Sequence, residues 1–79
     1  MEISLPGYEL DGSGCHDAFR KNIVWLRSKR GLTQEAAANS ANIAKVTWIK
    51  YERGERFPGT ETLDAVAETL GVSVGRLFK

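Results

Sequence analysis

The chain has 79 residues, enough for one small domain, and its 42% hydrophobic and 27% charged residues are typical of a folded protein rather than a disordered one. It contains no run of about 18 apolar residues and no secretory signal at its start, so we expect neither a membrane span nor export. The single cysteine, Cys15, excludes an internal disulfide, and with His16 beside it supplies too few ligands for a zinc site. We therefore expect no metal, no cofactor, and a reducing, cytoplasmic location.

The formal net charge of +1 hides an uneven distribution of charge along the chain. Residues 1–18 carry four acids and no Lys or Arg, whereas residues 19–56 carry nine of the eleven basic residues and three of the ten acids. A basic middle between acidic flanks suits a surface that binds a polyanion. A solvated charged face would give the same distribution, so charge alone leaves both interpretations open.

Residues 1–18 contain Pro6 and several glycines without a sustained hydrophobic period, which predicts an irregular N-terminal arm with Tyr8 and Leu10 as its anchors. The hydrophobic spacing then changes to that of one helical face and predicts a first helix over about residues 18–30. The residues on that face are Phe19, Ile23, Leu26 and Arg30. Asp17 is the expected N-cap of this helix, and Gly31 suits a left-handed residue after its end.

Four short helices are predicted after the first, at about residues 33–40, 44–53, 60–70 and 73–78. Thr33 and Ser73 are expected caps, Asn42 tolerates the left-handed conformation of a turn, and Gly54 and Gly71 suit helix ends. No segment is typical of a strand. The expected fold class is therefore all-α: a compact five-helix bundle over residues 19–79, preceded by the irregular arm at 1–18.

Helices 2 and 3 are joined by only about three residues around Asn42, and so short a connection forces a sharp angle between them. This is the helix-turn-helix geometry. The second helix of such a pair is narrow enough to enter the major groove of DNA, while the first crosses the backbone.

One known pattern of residue types is matched over all five predicted helices. It comprises Ile23, Leu26, Arg27, the run Gly31-Leu32-Thr33-Gln34-Glu35, Ala38, Ile43, the run Glu52-Arg53-Gly54-Glu55-Arg56, Pro58, Thr62, Leu63, Ala67, the run Leu70-Gly71-Val72-Ser73, Leu77 and Phe78. With these residues, and no gap between Gly31 and Gly54, the stretch from Phe19 to Phe78 resembles the lambda-repressor/Cro-like helix-turn-helix family, also called the xenobiotic-response-element family. The resemblance implies a lambda-repressor-like bundle that places its third helix in the DNA major groove.

The resemblance implies DNA contacts for eight residues. The amide of Gln34 would form a hydrogen bond to a DNA phosphate. Arg53 and Arg56 lie just past the third helix, where Arg53 would also bind a phosphate. The start of the third helix would read base edges, because a lysine can donate to guanine and the methyl groups of valine and threonine can meet a thymine methyl. The residues concerned are Lys45, Val46 and Thr47, with Ile49 and Lys50 one turn further on.

Each of these residues could also lie on an ordinary solvent-exposed surface without contacting DNA. For the apolar residues, a protein interface is a further alternative. Val46 and Ile49 are poor choices for a free surface, so they either touch thymine methyls or form a protein interface. Ile49 departs from the family, whose members more often carry a polar residue there. Trp25 lies off the core stripe of helix 1, and we expect it to pack on the N-terminal arm or a partner chain.

Two expectations concern the scaffold. The resemblance implies a partly buried salt bridge between Arg27 and Glu52 that ties helix 3 to helix 1, so neither residue should contact DNA. Ala37 and Trp48 depart from the family together, since those positions usually carry leucine and a mid-sized aliphatic residue. We hypothesise that the Trp48 ring fills the volume that Ala37 gives up, because protein cores conserve packing density.

These observations predict a sequence-specific double-stranded DNA-binding protein of bacterial or phage origin, a transcription regulator such as a repressor. It is expected to bind a palindromic site as a homodimer, with Leu77 and Phe78 as dimer contacts. The alternative is a protein-interaction module, such as the antitoxin of a toxin–antitoxin pair, that binds its partner through Trp25, Val46 and Ile49. No catalytic constellation or phosphate-binding glycine loop is recognisable, so we do not expect an enzyme.

Overall fold

The computed structural model describes residues 13–79, with side chains from Asp17 onward. It contains four α-helices, α1 over Ser13–Lys29, α2 over Gln34–Ser40, α3 over Lys45–Arg53 and α4 over Thr60–Leu70, and then a 3₁₀ helix over Val74–Phe78. The described part of the chain contains no strand, so the expected all-α class is confirmed there. Helix α1 packs against α3, α4 and the 3₁₀ helix, while α2 packs against α3 and α4.

The fifth element is a 3₁₀ helix, so the expected five-helix count is not confirmed as such: residues 13–79 form four α-helices and one 3₁₀ helix. Its first bond runs from the backbone N–H of Arg76 to the carbonyl of Ser73 at 3.1 Å, which is i→i+3 spacing. The Ser73 hydroxyl accepts from the same N–H at 3.4 Å. A segment of 5 residues gains little from the cooperative bonding of an α-helix, and short pieces adopt this tighter form.

Helix α1 begins at Ser13 rather than near residue 18, which corrects two expectations. Residues 13–18 are helical and do not belong to an irregular arm, while residues 1–12, with Tyr8 and Leu10, lie outside the described residues. Asp17 is not an N-cap, because it lies inside the helix, where it forms ion pairs with Arg20 and, at 3.2 Å, with Lys21. Pairs at this spacing support a helix through Asp17.

All four α-helices end in the same way, with one residue in the left-handed conformation. At the end of α2, Asn42 has φ 61°, and its N–H bonds the carbonyl of Asn39 at 3.1 Å. The N–H of Ile43 reaches back to the carbonyl of Ala38 at 3.0 Å, which completes a Schellman motif. The predicted turn residues Gly31, Asn42, Gly54 and Gly71 are thereby confirmed as left-handed.

The core is built from all four α-helices and the 3₁₀ helix. Its largest fully buried side chains are Trp48, Phe19, Ile23, Leu70, Leu77 and Val66. The burial of Leu77 makes the expected dimer contact there wrong, because a side chain with no exposed surface cannot meet a second copy. Phe78 is half-buried and packs on Phe19 and Phe57, with ring centroids 5.9 and 6.0 Å apart.

Trp48 and Ala37 both have 0% of their surface exposed and belong to the same core cluster. Their burial is what the hypothesis of volume compensation requires. We expect Trp48→Ala to lower the free energy of unfolding by about 3–5 kcal/mol, because truncating a buried aromatic side chain leaves a cavity. Denaturant unfolding would measure this change.

The matched control is Trp25→Ala, since Trp25 is 51% exposed and the same side chain is removed. We expect it to cost about 1 kcal/mol or less, because it leaves no core cavity. Equal losses in the two variants, or near-native stability of the Trp48 variant, would contradict the role given to Trp48.

Candidate nucleic-acid interface

The connection between α2 and α3 holds the two helices against each other. It spans residues 41–44 and turns at Asn42, which has a left-handed φ of 61°. Ile43, the residue after the turn, is half-buried against the core. A turn bonded to α2 on one side and packed on the core on the other gives α3 a defined starting direction.

The first turns of α3 divide into an inner and an outer side. Trp48 and Tyr51 point inward and are buried, whereas Lys45 and Lys50 are exposed. Val46 is 57% exposed, the largest fraction among the exposed large hydrophobic residues of the described chain. The two remaining candidates, Thr47 and Ile49, are half-buried.

A second group of basic side chains lies past the end of α3. Arg53 and Arg56 are exposed there, on either side of the left-handed Gly54. Arg53 pairs with the carboxylate of Glu55 at 2.8 Å, and both side chains are well exposed to solvent. An exposed ion pair of this kind contributes only about 0–1 kcal/mol to stability. Arg53 can therefore exchange Glu55 for another anion at a small cost in free energy.

Sequence reasoning missed one basic residue in this group, Arg20 of α1. Its side chain lies against Gly54, close enough that a Cβ added there would be 3.2 Å from Arg20 Cδ. Nothing local in the sequence links residues 20 and 54, since the contact depends on how α1 crosses the end of α3. The structure thus brings Arg20, Arg53 and Arg56 to one end of α3.

Behind the outer side of α3, the carboxylate of Glu52 accepts hydrogen bonds from three side chains. One oxygen, Oε2, accepts from Arg27 Nε and from Trp48 Nε1, each at 2.6 Å. The other oxygen, Oε1, accepts from Gln34 Nε2 at 2.9 Å and from Arg27 Nη2 at 3.3 Å. The side chains of Arg27 and Glu52 are only 17% and 7% exposed, so this is the partly buried salt bridge between α1 and α3.

Burial by itself would raise the pKa of Glu52, because a charged carboxylate loses its hydration. The hydrogen bonds from Arg27, Gln34 and Trp48 oppose this and outweigh it, so the pKa of Glu52 lies below its ordinary value. The carboxylate is therefore ionised at neutral pH and keeps its full attraction for Arg27. Arg27 adds a further link, since its Nη1 donates to the carbonyl of Leu32 at 2.9 Å.

The structure places Gln34 and Trp25 in surroundings that the sequence did not reveal. Gln34 donates from its amide to Glu52, and because that amide carries two N–H groups, one donor remains after this bond. Trp25 is half-exposed between two cations, with Lys29 Nζ at 4.9 Å and Arg76 Cζ at 5.7 Å from the centre of its ring. Its ring therefore contacts basic side chains of α1 and the 3₁₀ helix.

Among the side chains that the structure describes, from Asp17 to Lys79, no group of three or more His, Cys, Asp or Glu could hold a metal ion. Within the same stretch, none of the helices is both long and apolar enough to span a membrane.

Comparison with known proteins points to one family. A profile of the family described as helix-turn-helix domain matches residues 24–77 of the chain. The chain is 37% identical over 59 residues to the cryptic phage CTXphi transcriptional repressor RstR of Vibrio cholerae, covering 75% of this chain and 53% of the repressor. It is 33% identical over 61 residues to the HTH-type transcriptional regulator YqaE of Bacillus subtilis, covering 77% of this chain and 53% of that regulator. The chain thus spans about half the length of these relatives.

The fold also matches a solved structure, that of the hypothetical transcription factor NHTF from Neisseria. The two superpose with a TM-score of 0.79 at 21% sequence identity, and the match covers 98% of this chain and 86% of the other. At this level of identity, the likeness concerns the fold alone.

The buried carboxylate predicts a specific acid dependence of stability. Because the pKa of Glu52 is lower in the folded chain than its ordinary value, ionised Glu52 stabilises the fold fully above that ordinary value, and the contribution is lost as pH falls through the folded-state pKa. We expect Glu52→Gln to cost about 1.5–3 kcal/mol at neutral pH and progressively less below about pH 4. Urea unfolding of both proteins between neutral and acidic pH would measure the difference.

Glu68→Gln is the control, because Glu68 is an exposed carboxylate on α4. Its difference from the unmodified protein should be small at every pH. A Glu52→Gln difference that stays constant down to acidic pH would contradict the role of the ionised carboxylate.

Proposed function

The chain belongs to the family of helix-turn-helix domains, and on this premise we propose that it binds double-stranded DNA sequence-specifically as a transcription regulator, with α3 in the major groove. One observation carries the proposal: the exposed start of α3 is backed by a buried anchor. Lys45, Val46 and Lys50 face solvent. Trp48 on the same helix is buried in the core, and Glu52 is held by its hydrogen bonds to Trp48 and Arg27. A rigid helix with one bare side is what groove recognition requires.

The proposal assigns the reading of bases to the outer side of α3. Lys45 and Lys50 can donate to guanine O6 or N7, and the methyl groups of Val46 and Thr47 can pack on a thymine methyl. Ile49 lies half-buried at the edge of this side, where it would add apolar contact. Such contacts distinguish one base pair from another, whereas phosphate contacts do not.

Contacts to the DNA backbone would come from residues on either side of α3. Arg53 and Arg56 are exposed at the end of the helix, and Arg20 extends their basic group from α1. On the opposite side, Gln34 can offer the amide N–H that remains after its bond to Glu52. Because every sequence presents the same phosphates, these residues supply affinity and register rather than base preference.

Both relatives described above are named as transcription regulators, one of them as a phage repressor, and neither as an antitoxin. A regulatory role at DNA is therefore the function proposed here. Helix-turn-helix proteins commonly bind as dimers, because two recognition helices can then enter successive major grooves on one face of the duplex. The proposal includes such a homodimer on a palindromic site.

Two substitutions should separate base reading from backbone binding. We expect Lys45→Ala to change the preferred DNA sequence and to cost about 1–3 kcal/mol of affinity for the best site, because a base contact is lost. We expect Arg53→Ala to weaken binding to all sequences by a similar factor and to reduce the salt dependence, because only a phosphate contact is lost. Selection of bound sequences from a random DNA pool, followed by binding titrations at several salt concentrations, would measure both effects.

The two variants control each other, since each removes one exposed cation near α3. An unchanged sequence preference for the lysine variant would count against base reading by Lys45. A preference altered as strongly by Arg53→Ala would count against the assignment of that residue to the backbone.

The proposed homodimer predicts both the form of the selected DNA site and the mass of the complex. The selected DNA should contain two inverted half-sites with centres about 34 Å apart, one turn of the duplex. The complex, measured by light scattering, should have the mass of two chains on one duplex. A single non-palindromic half-site bound by one chain would contradict the proposed dimer while leaving DNA binding intact.

A further inference from the structure

The bond between Trp48 and Glu52 connects two neighbouring positions on one helix. The residues lie four apart on α3, and the indole Nε1 donates to Glu52 Oε2 at 2.6 Å. An indole has a single N–H and no acceptor, and Trp48 is fully buried, so this bond satisfies its only polar group. The tryptophan ring, itself fixed by the core, therefore holds the Glu52 carboxylate in one orientation.

That orientation decides what the second carboxylate oxygen can reach. With Oε2 held by Trp48 and by Arg27, Oε1 is turned toward α2 and accepts from Gln34 at 2.9 Å. Gln34 is the first residue of α2 and is half-buried where α2 packs on α3. The side chain of Gln34 is thus held by a residue of α3, although it belongs to the neighbouring helix.

We propose that Trp48 is a positioning residue for DNA binding: its indole N–H fixes the Glu52 carboxylate, which in turn holds Gln34 ready to donate to a DNA phosphate. The inference rests on the proposed function, in which Gln34 contacts the DNA backbone. The Gln34 amide gives one N–H to Glu52 and has a second N–H to give. A side chain that is ordered before binding loses less conformational freedom on binding, so pre-orientation by Glu52 raises affinity.

A positioning role for Trp48 differs from that of an ordinary core residue in how it affects DNA binding. A core residue affects DNA binding through the stability of the whole fold, whatever stands at position 34. A residue that acts through Gln34 has no further effect once Gln34 is gone. The coupling between the two positions is therefore the decisive quantity, and a double-mutant cycle measures it.

The test removes the indole N–H while keeping the shape of the ring. A chain of 79 residues can be assembled by chemical synthesis with benzothiophene in place of the Trp48 indole, which substitutes sulfur for N–H. Trp48→Phe offers a recombinant version. Each change is made in the unmodified chain and in Gln34→Ala, and affinity is titrated against the duplex selected by the unmodified chain. Val66→Ala, a fully buried truncation on α4, controls for loss of stability.

In the chain with Gln34, we expect removal of the N–H to weaken DNA binding roughly fivefold to tenfold, the effect of one oriented hydrogen bond. In Gln34→Ala, the same change should weaken it by less than about twofold, as expected for two residues that act as a unit. Val66→Ala should have the same small effect in both backgrounds. Equal losses from the position-48 change in both backgrounds, or no loss in either, would overturn the inference.

A second measurement tests the inference without DNA. In an NMR spectrum of the free protein, the side-chain amide protons of Gln34 should exchange slowly and have shifts typical of a bonded amide. Removal of the Trp48 N–H should move them toward the values of a free glutamine. Unchanged Gln34 amide signals would also overturn the inference, while failure of the unmodified chain to bind any duplex would overturn the proposed function and, with it, this inference.

Discussion

Helix α3 is held in place by the buried carboxylate of Glu52. Burying a lone carboxylate costs several kcal/mol, and Glu52 recovers this only because Arg27, Gln34 and Trp48 all donate to it. The donors come from α1, α2 and α3, so the carboxylate is satisfied only when these three helices meet in one arrangement. The network therefore selects a single relative placement of the two helices of the helix-turn-helix.

Because the buried residues of α3 hold the helix in place, its exposed residues are not needed for the fold. A helix of 9 residues is only marginally stable alone, so its order depends on the inner side, where Trp48 and Tyr51 are buried. The outer residues Lys45, Val46 and Lys50 contribute little to the core and face solvent. The buried side of α3 thus supplies stability, and the proposed base contacts of the exposed residues can differ between proteins without loss of the fold.

The helix ends follow one rule with one exception. After α1, α2 and α4, the left-handed residue is followed by an apolar side chain that packs on the core: Leu32, Ile43 and Val72. After α3, that position is taken by Glu55, which is exposed and paired with Arg53. No apolar side chain packs on the core at this position of the loop after α3. Arg53 and Arg56 therefore stay at the surface, where we propose that they contact DNA phosphates.

The sequence alone determined α2, α3 and α4 and the carboxyl-terminal ends of the four α-helices, because these depend on local chemistry: apolar spacing, capping by Thr33 and left-handed residues such as Asn42 and Gly54. It also indicated the helix-turn-helix and the family, since both rest on residue types at fixed spacing. It did not reveal the start of α1 at Ser13 or the 3₁₀ form of the last helix. Only the tertiary structure decided which side chains meet across helices. The Gln34 bond to Glu52, the approach of Arg20 to Gly54 and the burial of Leu77 all depend on how the helices cross, which no local pattern encodes.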